Sequence, residues 1–334
     1  MDATAEAPRA VPSRTPAERR RARRRLAAGR YLTVLAFLSP WIVGFALFTA
    51  WPMLLTVYYS FTHYDLLTSP HWVGLDNYRY MFGLGTIHGQ HEADPYFWQS
   101  ARNTLWIIAV SVPLRIVVAM LTAMLLTRPK RGVNIYRTLF FMPSLAPTVG
   151  SALVFVYLLN PTTGPVDQLL SRIPGVGSPL WFYDPTWAKP ALIVLGLWGI
   201  GDAIIIYLAG LLDVPRDLYE AISIEGANAW QRFRYVTLPM ITPVIFFTLV
   251  IGIINGFQFF DQAYVSSTTA GTQPGDPQGS LLFYGVWLYQ QAFTYFHMGY
   301  AAAMAWVLFL VTMATTAVLF VTARRWVHYR GGLT

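Results

Sequence analysis

Apolar residues in this chain are gathered into six long stretches, separated by shorter and more polar segments. A helix needs about 20 apolar residues to cross the hydrocarbon core of a bilayer, and each stretch is near or above that length. Prolines within several stretches predict kinks rather than breaks, because packed neighbours can satisfy the freed backbone groups. The pattern predicts an all-α membrane protein with transmembrane helices at residues 33–59, 103–127, 137–159, 188–211, 241–262 and 299–322.

The amino-acid composition agrees with a membrane protein. Of the 334 residues, 55% are hydrophobic and 12% are charged, and soluble domains usually carry about twice that charged fraction. The chain has no cysteine, so disulfides and thiolate metal sites are excluded. His88 and His91 lie close together in a Gly-containing segment, but no second cluster of ligands matches them. We interpret this segment as a loop rather than a metal site.

Basic residues are concentrated near the N-terminus. Nine arginines fall within residues 1–30, immediately before the first apolar stretch. This placement is typical of a cytoplasmic tail that meets an anionic lipid leaflet, so we expect no nucleic-acid partner. The Pro- and Ala-rich composition of the tail offers little to bury, which predicts disorder. The first apolar stretch is far longer than the hydrophobic region of a signal peptide, and we expect it to remain as a span.

The other basic residues predict the orientation of the chain in the membrane. Cytoplasmic loops carry an excess of lysine and arginine. With the N-terminus inside, most of the remaining basic residues fall on the cytoplasmic side, whereas the segment 263–298 on the opposite side has none. The distribution places the N-terminal tail, the C-terminal residues 326–334 and the polar segment 213–239 in the cytoplasm. The membrane domain then occupies residues 31–325.

The polar segment 213–239 lies between two apolar stretches and has the features of a short helix–turn–helix. Asp217 and Glu220 have the spacing of a capping box, which predicts that a helix begins there. Gly226 follows about two turns later, where a helix can end or turn. A second short helical run is expected at 230–235. Because a unit of this size has too little surface to fold alone, the segment needs something to dock against.

The same segment carries a spaced motif. It consists of Glu220, Ala221, Gly226, Val236, Leu238 and Pro239. The spacing resembles the EAA loop of the inner-membrane permease subunits of binding-protein-dependent ABC importers. Ile222 and Val236 depart from that pattern, but both replacements are apolar and leave the spacing intact.

Further short segments extend the resemblance over most of residues 31–325. They resemble the carbohydrate branch of the family, which includes the maltose and sn-glycerol-3-phosphate permeases. These segments are Trp51-Pro52, 73–78, 136–143, 257–264 and 298–306.

The resemblance implies a fold and a set of partners. The fold is the six-helix type I importer permease, in which the EAA loop forms a coupling helix on an ATPase subunit. The partners are a second homologous permease, two ATPase subunits, an extracytoplasmic solute-binding protein and a sugar such as a di- or oligosaccharide. The sequence has no Gly-x-x-x-x-Gly-Lys-Ser/Thr phosphate loop, so ATP and Mg²⁺ are expected on the ATPase subunits and no cofactor or catalysis in this chain. The residues expected to couple to the ATPase are Asp217, Leu218, Glu220, Ala221, Ile222, Gly226, Leu238 and Pro239.

Polar residues within the predicted spans are candidates for the substrate pathway. Such residues are costly in lipid and are expected to face the interior of the helix bundle. Asn255, Gln258 and Gln262 share one face of the predicted fifth helix, where amides beside aromatic rings would suit a sugar. They could equally form hydrogen bonds between helices. The full set of pathway candidates is Trp198, Asp202, Asn255, Gln258, Phe259, Asp261 and Gln262.

Arg115 is a less favoured pathway candidate, because we expect it in a buried ion pair for which Asp202 is a possible partner. A second hypothesis is an ion-coupled secondary transporter that uses Asp202, Arg115 and Asp261, although the chain lacks the repeats typical of that class. A permease for a non-sugar solute such as a polyol phosphate is a further alternative. A membrane-embedded hydrolase lacks any convergent set of catalytic residues.

Overall fold

The computed structural model describes residues 33–84, 86–87, 90–91, 93–127, 131–173, 179–271 and 273–328. The predictions for the tail 1–30 and for His88 lie outside these residues, as does the end of the predicted C-terminal tail. The chain divides into two units, residues 1–58 and residues 59–334.

The described part of the first unit is a single apolar helix. This helix, α1 (Thr33–Ser60), runs to the start of the second unit and contains a π-helical turn at Ala46–Ala50. Its aromatic side chains are open, with Phe37 and Phe48 each more than 80% exposed. A helix that is apolar on every side and exposes those side chains is typical of a membrane span.

The second unit contains two further unbroken helices that can cross a membrane. They are α3 (Phe97–Leu126) and α14 (Met298–Ala323), and α3 keeps its helical course through Pro113. By length and composition, three unbroken helices and three bent helix pairs in the described residues could act as spans.

The bent pairs correct the prediction of continuous helices at 137–159, 188–211 and 241–262. The first pair is α4 (Val133–Phe141), continued by a 3₁₀ turn at Met142–Leu145, and α5 (Thr148–Leu158), with a bend of 97°. Pro143 and Pro147 stand at this break. Each proline lacks an N–H donor and its ring clashes with the preceding turn of helix. Two prolines within five residues therefore end the helix instead of kinking it.

The second and third pairs bend less. Helix α7 (Pro185–Trp198) meets α8 (Gly201–Leu212) at 52°, and α10 (Ala229–Met240) meets α11 (Thr242–Phe257) at 63°. A Cβ atom on Gly201 would lie 2.5 Å from the carbonyl oxygen of Phe140. The break before α8 therefore lets two backbones approach as only glycine permits.

The predicted fifth span ends earlier than expected. Helix α11 stops at Phe257, the backbone turns through Gln258 to Phe260, and α12 (Asp261–Ala270) begins a separate helix. The remaining elements are short. They are strands β1 (Thr62–His63) and β2 (His71–Trp72), helix α2 (Asp76–Phe82), strands β3 (Thr86–Ile87) and β4 (Gln90–His91), helix α6 (Pro165–Leu170), a 3₁₀ turn (Trp181–Tyr183), helix α9 (Arg216–Ile224), helix α13 (Tyr284–Tyr289) and a π-helical turn (Gln290–Thr294).

Helix α3 is the central element of the second unit, and two glycines let α11 pack closely against it. A Cβ atom on Gly256 would lie 2.5 Å from Cγ1 of Ile108, and one on Gly252 would lie 3.0 Å from Cγ1 of Val112. The Gly252-x-x-x-Gly256 spacing is therefore a helix-packing motif in this chain.

A buried carboxylate organises the end of the unit where α3 begins. Asp94 is 3% exposed, and its Oδ1 accepts hydrogen bonds from the backbone N–H groups of Tyr96 and Phe97. Its Oδ2 accepts hydrogen bonds from Trp287 Nε1 and from the hydroxyl of Tyr300. One side chain thus ties the start of α3 to α13 and α14, which lie about two hundred residues further along the chain.

Candidate functional site

A cavity of about 660 Å³ lies within the second unit, beside the α4–α5 and α7–α8 breaks and the turn that follows α11. Its walls are formed by α3, by the 3₁₀ turn and loop between α4 and α5, and by the α7–α8 and α11–α12 breaks. Polar side chains near these breaks face the cavity, and non-helical backbone is tolerated at membrane depth where it lines a cavity.

The seven predicted pathway residues all line this cavity. They are Trp198, Asp202, Asn255, Gln258, Phe259, Asp261 and Gln262. The geometric reason given for three of them is wrong, however. Asn255 lies on α11, Gln258 follows its last residue, and Gln262 belongs to α12, so the three side chains do not share one helix face. The break at 258–260 brings them to the same cavity.

Trp198 and Asp202 stand on either side of the break between α7 and α8. Trp198 is 44% exposed, and its ring lies 5.6 Å from that of Phe155. Asp202 lies in the first turn of α8, where the helix dipole favours a negative charge. The break therefore presents an aromatic face and a carboxylate on one wall.

Arg115 forms an ion pair with Asp202. Its Nη2 donates a hydrogen bond of 2.7 Å to Oδ1 of Asp202, so the suggested pairing is confirmed. The expected burial is wrong, because the Arg115 side chain is 39% exposed and that of Asp202 is 58% exposed. Both residues line the cavity. The pair is therefore part of the cavity wall and not of a dry core.

The polar segment 213–239 forms the second candidate site. Helix α9 begins at Arg216 after Pro215, and no side chain caps its first turn. The predicted capping box at Asp217 and Glu220 is therefore wrong: Asp217 is the second residue of the helix, and its charge can still act favourably on the helix dipole. A proline just before the first turn supplies the start signal instead, because its fixed φ is compatible with helix entry.

A Schellman motif at Gly226 follows the end of helix α9. The N–H of Gly226 bonds to the carbonyl of Ser223, and the N–H of Ala227 bonds to the carbonyl of Ile222. Gly226 has a φ of +80°, the left-handed conformation that glycine adopts without steric cost. The prediction that the chain turns here is confirmed.

A capping box is present, but at the next helix. The side chain of Asn228 accepts a hydrogen bond from the N–H of Gln231, and the Gln231 side chain accepts one from the N–H of Asn228. The Asn-x-x-Gln spacing at the start of α10 is a signal that could have been found in the sequence. Both ends of the turn between α9 and α10 are thus fixed by local hydrogen bonds.

One face of the helix–turn–helix is attached to the rest of the second unit. Tyr219 and Ile222 are partly buried and pack, together with Phe233, on a core that includes Val214 and Val236. The hydroxyls of Tyr219 and Thr237 lie 2.9 Å apart and share a hydrogen bond. Ile222, expected among the residues that couple to the ATPase, thus packs partly on the core of its own chain.

The opposite face is open and partly apolar. Asp217, Glu220 and Ala221 are exposed, and Leu218 is 40% exposed. Ile224 is 88% exposed and Trp230 is 68% exposed. We refer to the exposed residues Leu218, Glu220, Ala221, Ile224 and Trp230 as the outer face of the polar segment. Leu238 and Pro239 are partly buried behind it.

No group of three or more histidine, aspartate or glutamate residues that could hold a metal ion occurs among the residues that the structure describes. The backbone of His91 lies in strand β4.

Comparison with known proteins identifies a family and several relatives that this chain resembles. The family described as "Binding-protein-dependent transport system inner membrane component" matches residues 115–328. The probable ABC transporter permease protein YesP of Bacillus subtilis is 42% identical over 296 residues, covering 88% of this chain and 91% of that protein. The lactose transport system permease protein LacF of Rhizobium radiobacter is 35% identical over 235 residues, covering 69% of this chain and 77% of that protein.

The fold also has a solved counterpart. A crystal structure of a bacterial ABC transporter involved in the import of the acidic polysaccharide alginate aligns with a TM-score of 0.76 and 23% sequence identity. The alignment covers 91% of this chain and 99% of that one. At this level of identity the likeness concerns the fold.

Proposed function

The chain belongs to the family of binding-protein-dependent transport system inner membrane components, the permeases of ABC importers, and we propose on that premise that it forms part of the membrane pathway for an imported sugar. It is a multi-pass membrane subunit. The observation that carries the sugar assignment is the cavity, where amide and carboxylate groups stand beside open aromatic rings. The relatives named for lactose and other sugars support the same class of substrate.

Each bent helix pair acts as one broken span, which gives six spans together with α1, α3 and α14. This is the six-helix type I arrangement expected from the sequence. Broken helices are tolerated at membrane depth where they line a cavity, and in this chain the α4–α5 and α7–α8 breaks line the 660 Å³ space. The excess of basic residues places both termini and the polar segment in the cytoplasm.

The polar segment is the EAA loop, and it couples this chain to a partner. Its inner face is held by Tyr219 and Ile222 against the second unit, and its outer face carries exposed apolar residues that need a partner. We assign that partner as an ATPase subunit, with Glu220 facing a basic group on it. The two ATPase subunits also hold ATP and Mg²⁺, because this chain has no phosphate loop.

The transport cycle is alternating access driven by those partners. A solute-binding protein delivers the sugar to the extracytoplasmic side, and a second homologous permease completes the pathway. ATP binding closes the ATPase pair, and the polar segment transmits that movement so that the cavity opens outward and takes the sugar. Hydrolysis returns the cavity to the inward-facing state. Asn255, Gln258 and Gln262 donate and accept hydrogen bonds with the sugar, while Trp198 and Phe259 pack on its apolar faces.

Affinity purification of the chain from its native membrane tests the coupling assignment. The wild-type chain is expected to co-purify with an ATPase. Ile224→Glu places a charge in the outer face and is expected to lose the ATPase, because the charge would be buried without a partner. Leu67→Glu is the matched control, since Leu67 is also 88% exposed but follows the first span, which places it on the side of the membrane opposite the N-terminal tail. Equal ATPase recovery with both variants contradicts the assignment.

A further inference from the structure

The charged residues of the cavity define what kind of sugar it can accept, if the proposed function holds. Among the lining residues, Arg115 carries a positive charge and Asp202 and Asp261 carry negative charges. One guanidinium against two carboxylates leaves a formal charge of −1 on this wall. A cavity with low-dielectric walls enhances such a field. An acidic substrate therefore meets repulsion, and a neutral one does not.

The Arg115–Asp202 pair has unused hydrogen-bonding capacity that faces the cavity. A guanidinium has five N–H donors, and a carboxylate has two acceptor oxygens. The pair makes a single contact, from Nη2 to Oδ1, and neither side chain forms a further hydrogen bond within the part of the chain that the structure describes. Donors of Arg115 and the Oδ2 acceptor of Asp202 thus stand side by side at an open surface.

This arrangement matches the needs of two neighbouring hydroxyl groups. A hydroxyl can donate one hydrogen bond and accept others, so one hydroxyl can accept from Arg115 while its neighbour donates to Asp202. Trp198 lies on the same wall, across the α7–α8 break from Asp202, and offers a ring for the apolar face of the same sugar. Hydrogen bonds to charged partners are also stronger than those between neutral groups.

Two other roles for the pair fit the structure less well. A purely structural ion pair within a membrane domain is expected to be shielded and to have its remaining polar atoms satisfied, whereas these side chains are 39% and 58% exposed. A site for an anionic sugar needs an arginine whose charge is available, but the charge of Arg115 is already balanced by Asp202, and Asp261 adds a second carboxylate.

We propose that Arg115 and Asp202 together bind two adjacent hydroxyls of a neutral saccharide, and that Asp261 makes the cavity reject acidic sugars. This inference rests on the proposed function and deepens it. It assigns to Arg115 a direct contact with the substrate and narrows the substrate class from sugars in general to neutral sugars with vicinal hydroxyls.

Sugar uptake into proteoliposomes tests the inference. The proteoliposomes contain this chain with the second permease and the ATPase subunits, and the binding protein is supplied with the sugar. The probes are lactose, maltose and cellobiose, each beside the derivative whose non-reducing sugar is oxidised to a uronic acid. The sugar with the highest ATP-driven uptake is then compared with its monodeoxy derivatives. All sugars are supplied at concentrations that saturate the binding protein, so that differences report on the membrane pathway.

Uptake of the neutral sugar by the wild-type importer is expected to exceed uptake of its uronic counterpart about tenfold or more. Loss of either of the two contacted hydroxyls is expected to reduce wild-type uptake about tenfold. In Arg115→Gln and Asp202→Asn, the same deoxy derivatives should differ from the parent sugar by less than about twofold. Ser151→Ala is the matched control on the cavity wall. Its hydroxyl already donates to the carbonyl of Pro147, so the deoxy effect should persist in this variant.

If a single variant does not assemble, the double variant Arg115→Asp with Asp202→Arg distinguishes loss of sugar binding from loss of assembly. This double variant keeps an ion pair but reverses the donor and the acceptor. We expect it to assemble with the ATPase yet to transport the sugar at least tenfold less well. Three results would each overturn the inference alone. They are full uptake by the double variant, an unchanged deoxy effect in the single variants, and a wild-type preference for the uronic form that Arg115→Gln abolishes. Absence of ATP-driven uptake for every probe would overturn the proposed function and the inference with it.

Discussion

Asp94 and Trp287 are 193 residues apart in the chain, yet the carboxylate Oδ2 of Asp94 accepts a hydrogen bond of 2.7 Å from Nε1 of Trp287. The hydroxyl of Tyr300 donates to the same oxygen, and two backbone N–H groups donate to the other oxygen. A buried charge is tolerated when it is fully hydrogen-bonded, and each carboxylate oxygen here has two partners. The contact therefore holds the start of α3 against α13 and α14.

Replacement of Asp94 tests this contact. Asp94→Ala leaves the indole N–H of Trp287 and the hydroxyl of Tyr300 buried without their acceptor, and is expected to lower the free energy of unfolding by about 3 kcal/mol or more. Trp287→Phe removes one donor only and should cost less. Asp76→Ala is the control, since Asp76 forms an exposed pair with Arg79 that should contribute under about 1 kcal/mol. Thermal unfolding of the purified complex measures all three, and equal effects of Asp94→Ala and Asp76→Ala would contradict the prediction.

The packing of α11 on α3 predicts a second effect. Gly256→Ala introduces a Cβ atom 2.5 Å from Cγ1 of Ile108, so the helices must separate, at a cost of about 1–3 kcal/mol. Gly150→Ala is the control in another helix, because nothing lies within 4 Å of the added atom. Ile108→Ala should relieve much of the Gly256→Ala effect, and a double-mutant cycle of unfolding free energies measures the coupling. Strictly additive effects would show that the two residues do not interact.

The Schellman motif at Gly226 predicts a defect in coupling rather than in stability. A Cβ atom at this position meets nothing within 4 Å, but φ is +80°, a conformation that costs a non-glycine residue about 1–2 kcal/mol. Gly226→Ala should therefore let the turn between α9 and α10 relax and reduce sugar-stimulated ATP hydrolysis by the assembled importer. Gly226→Asn should be milder, because asparagine tolerates the left-handed conformation better. Stimulated ATPase rates that rank alanine at or above asparagine would argue against this role.

His297 predicts a pH dependence of stability. It precedes α14 and its Nδ1 lies 2.9 Å from Oε1 of Gln291. Burial lowers the pKa of His297 below its ordinary value of 6.5, the nearby His63 lowers the pKa further, and Asp65 partly opposes both. Below pH 6.5 the unfolded chain then binds more protons than the folded chain, so stability present above that pH is lost as the pH falls.

His297→Asn should flatten this dependence, because asparagine retains a polar atom near Nδ1 but does not titrate. The measurement is the unfolding temperature of the purified complex over a pH series from neutral to acidic. An equally steep loss of stability in the variant would assign the acid sensitivity to other groups.

The sequence predicted the membrane-spanning helices and the turn in the polar segment because their signals are local. Long apolar runs indicate spans wherever they pack, and the Glu220 to Pro239 spacing lies within one short segment. The pairing of Arg115 with Asp202 was also within reach, since opposite charges in spans tend to find each other. How open that pair is to the cavity depends on the surrounding helices, which no local pattern reports.

The helix breaks and the buried carboxylate were beyond the sequence for a different reason. Proline can kink or end a helix, and the outcome depends on contacts such as the approach of Gly201 to the Phe140 carbonyl. Asn255, Gln258 and Gln262 were grouped for the wrong helical reason, although a break brings them to one cavity. The partners of Asp94 lie about two hundred positions away, and a lone aspartate in a loop gives no sign of them.

Uptake of radiolabelled sugar into proteoliposomes that contain the purified importer tests whether this chain transports sugar with energy from an ATPase. With the binding protein outside and ATP inside, we expect sugar accumulation that stops when ATP is withheld and is unaffected by collapse of the proton gradient. Ile224→Glu should abolish that accumulation, whereas Leu67→Glu should leave it intact. Accumulation by this chain without any ATPase, driven by a proton gradient, would show that it is a secondary transporter instead.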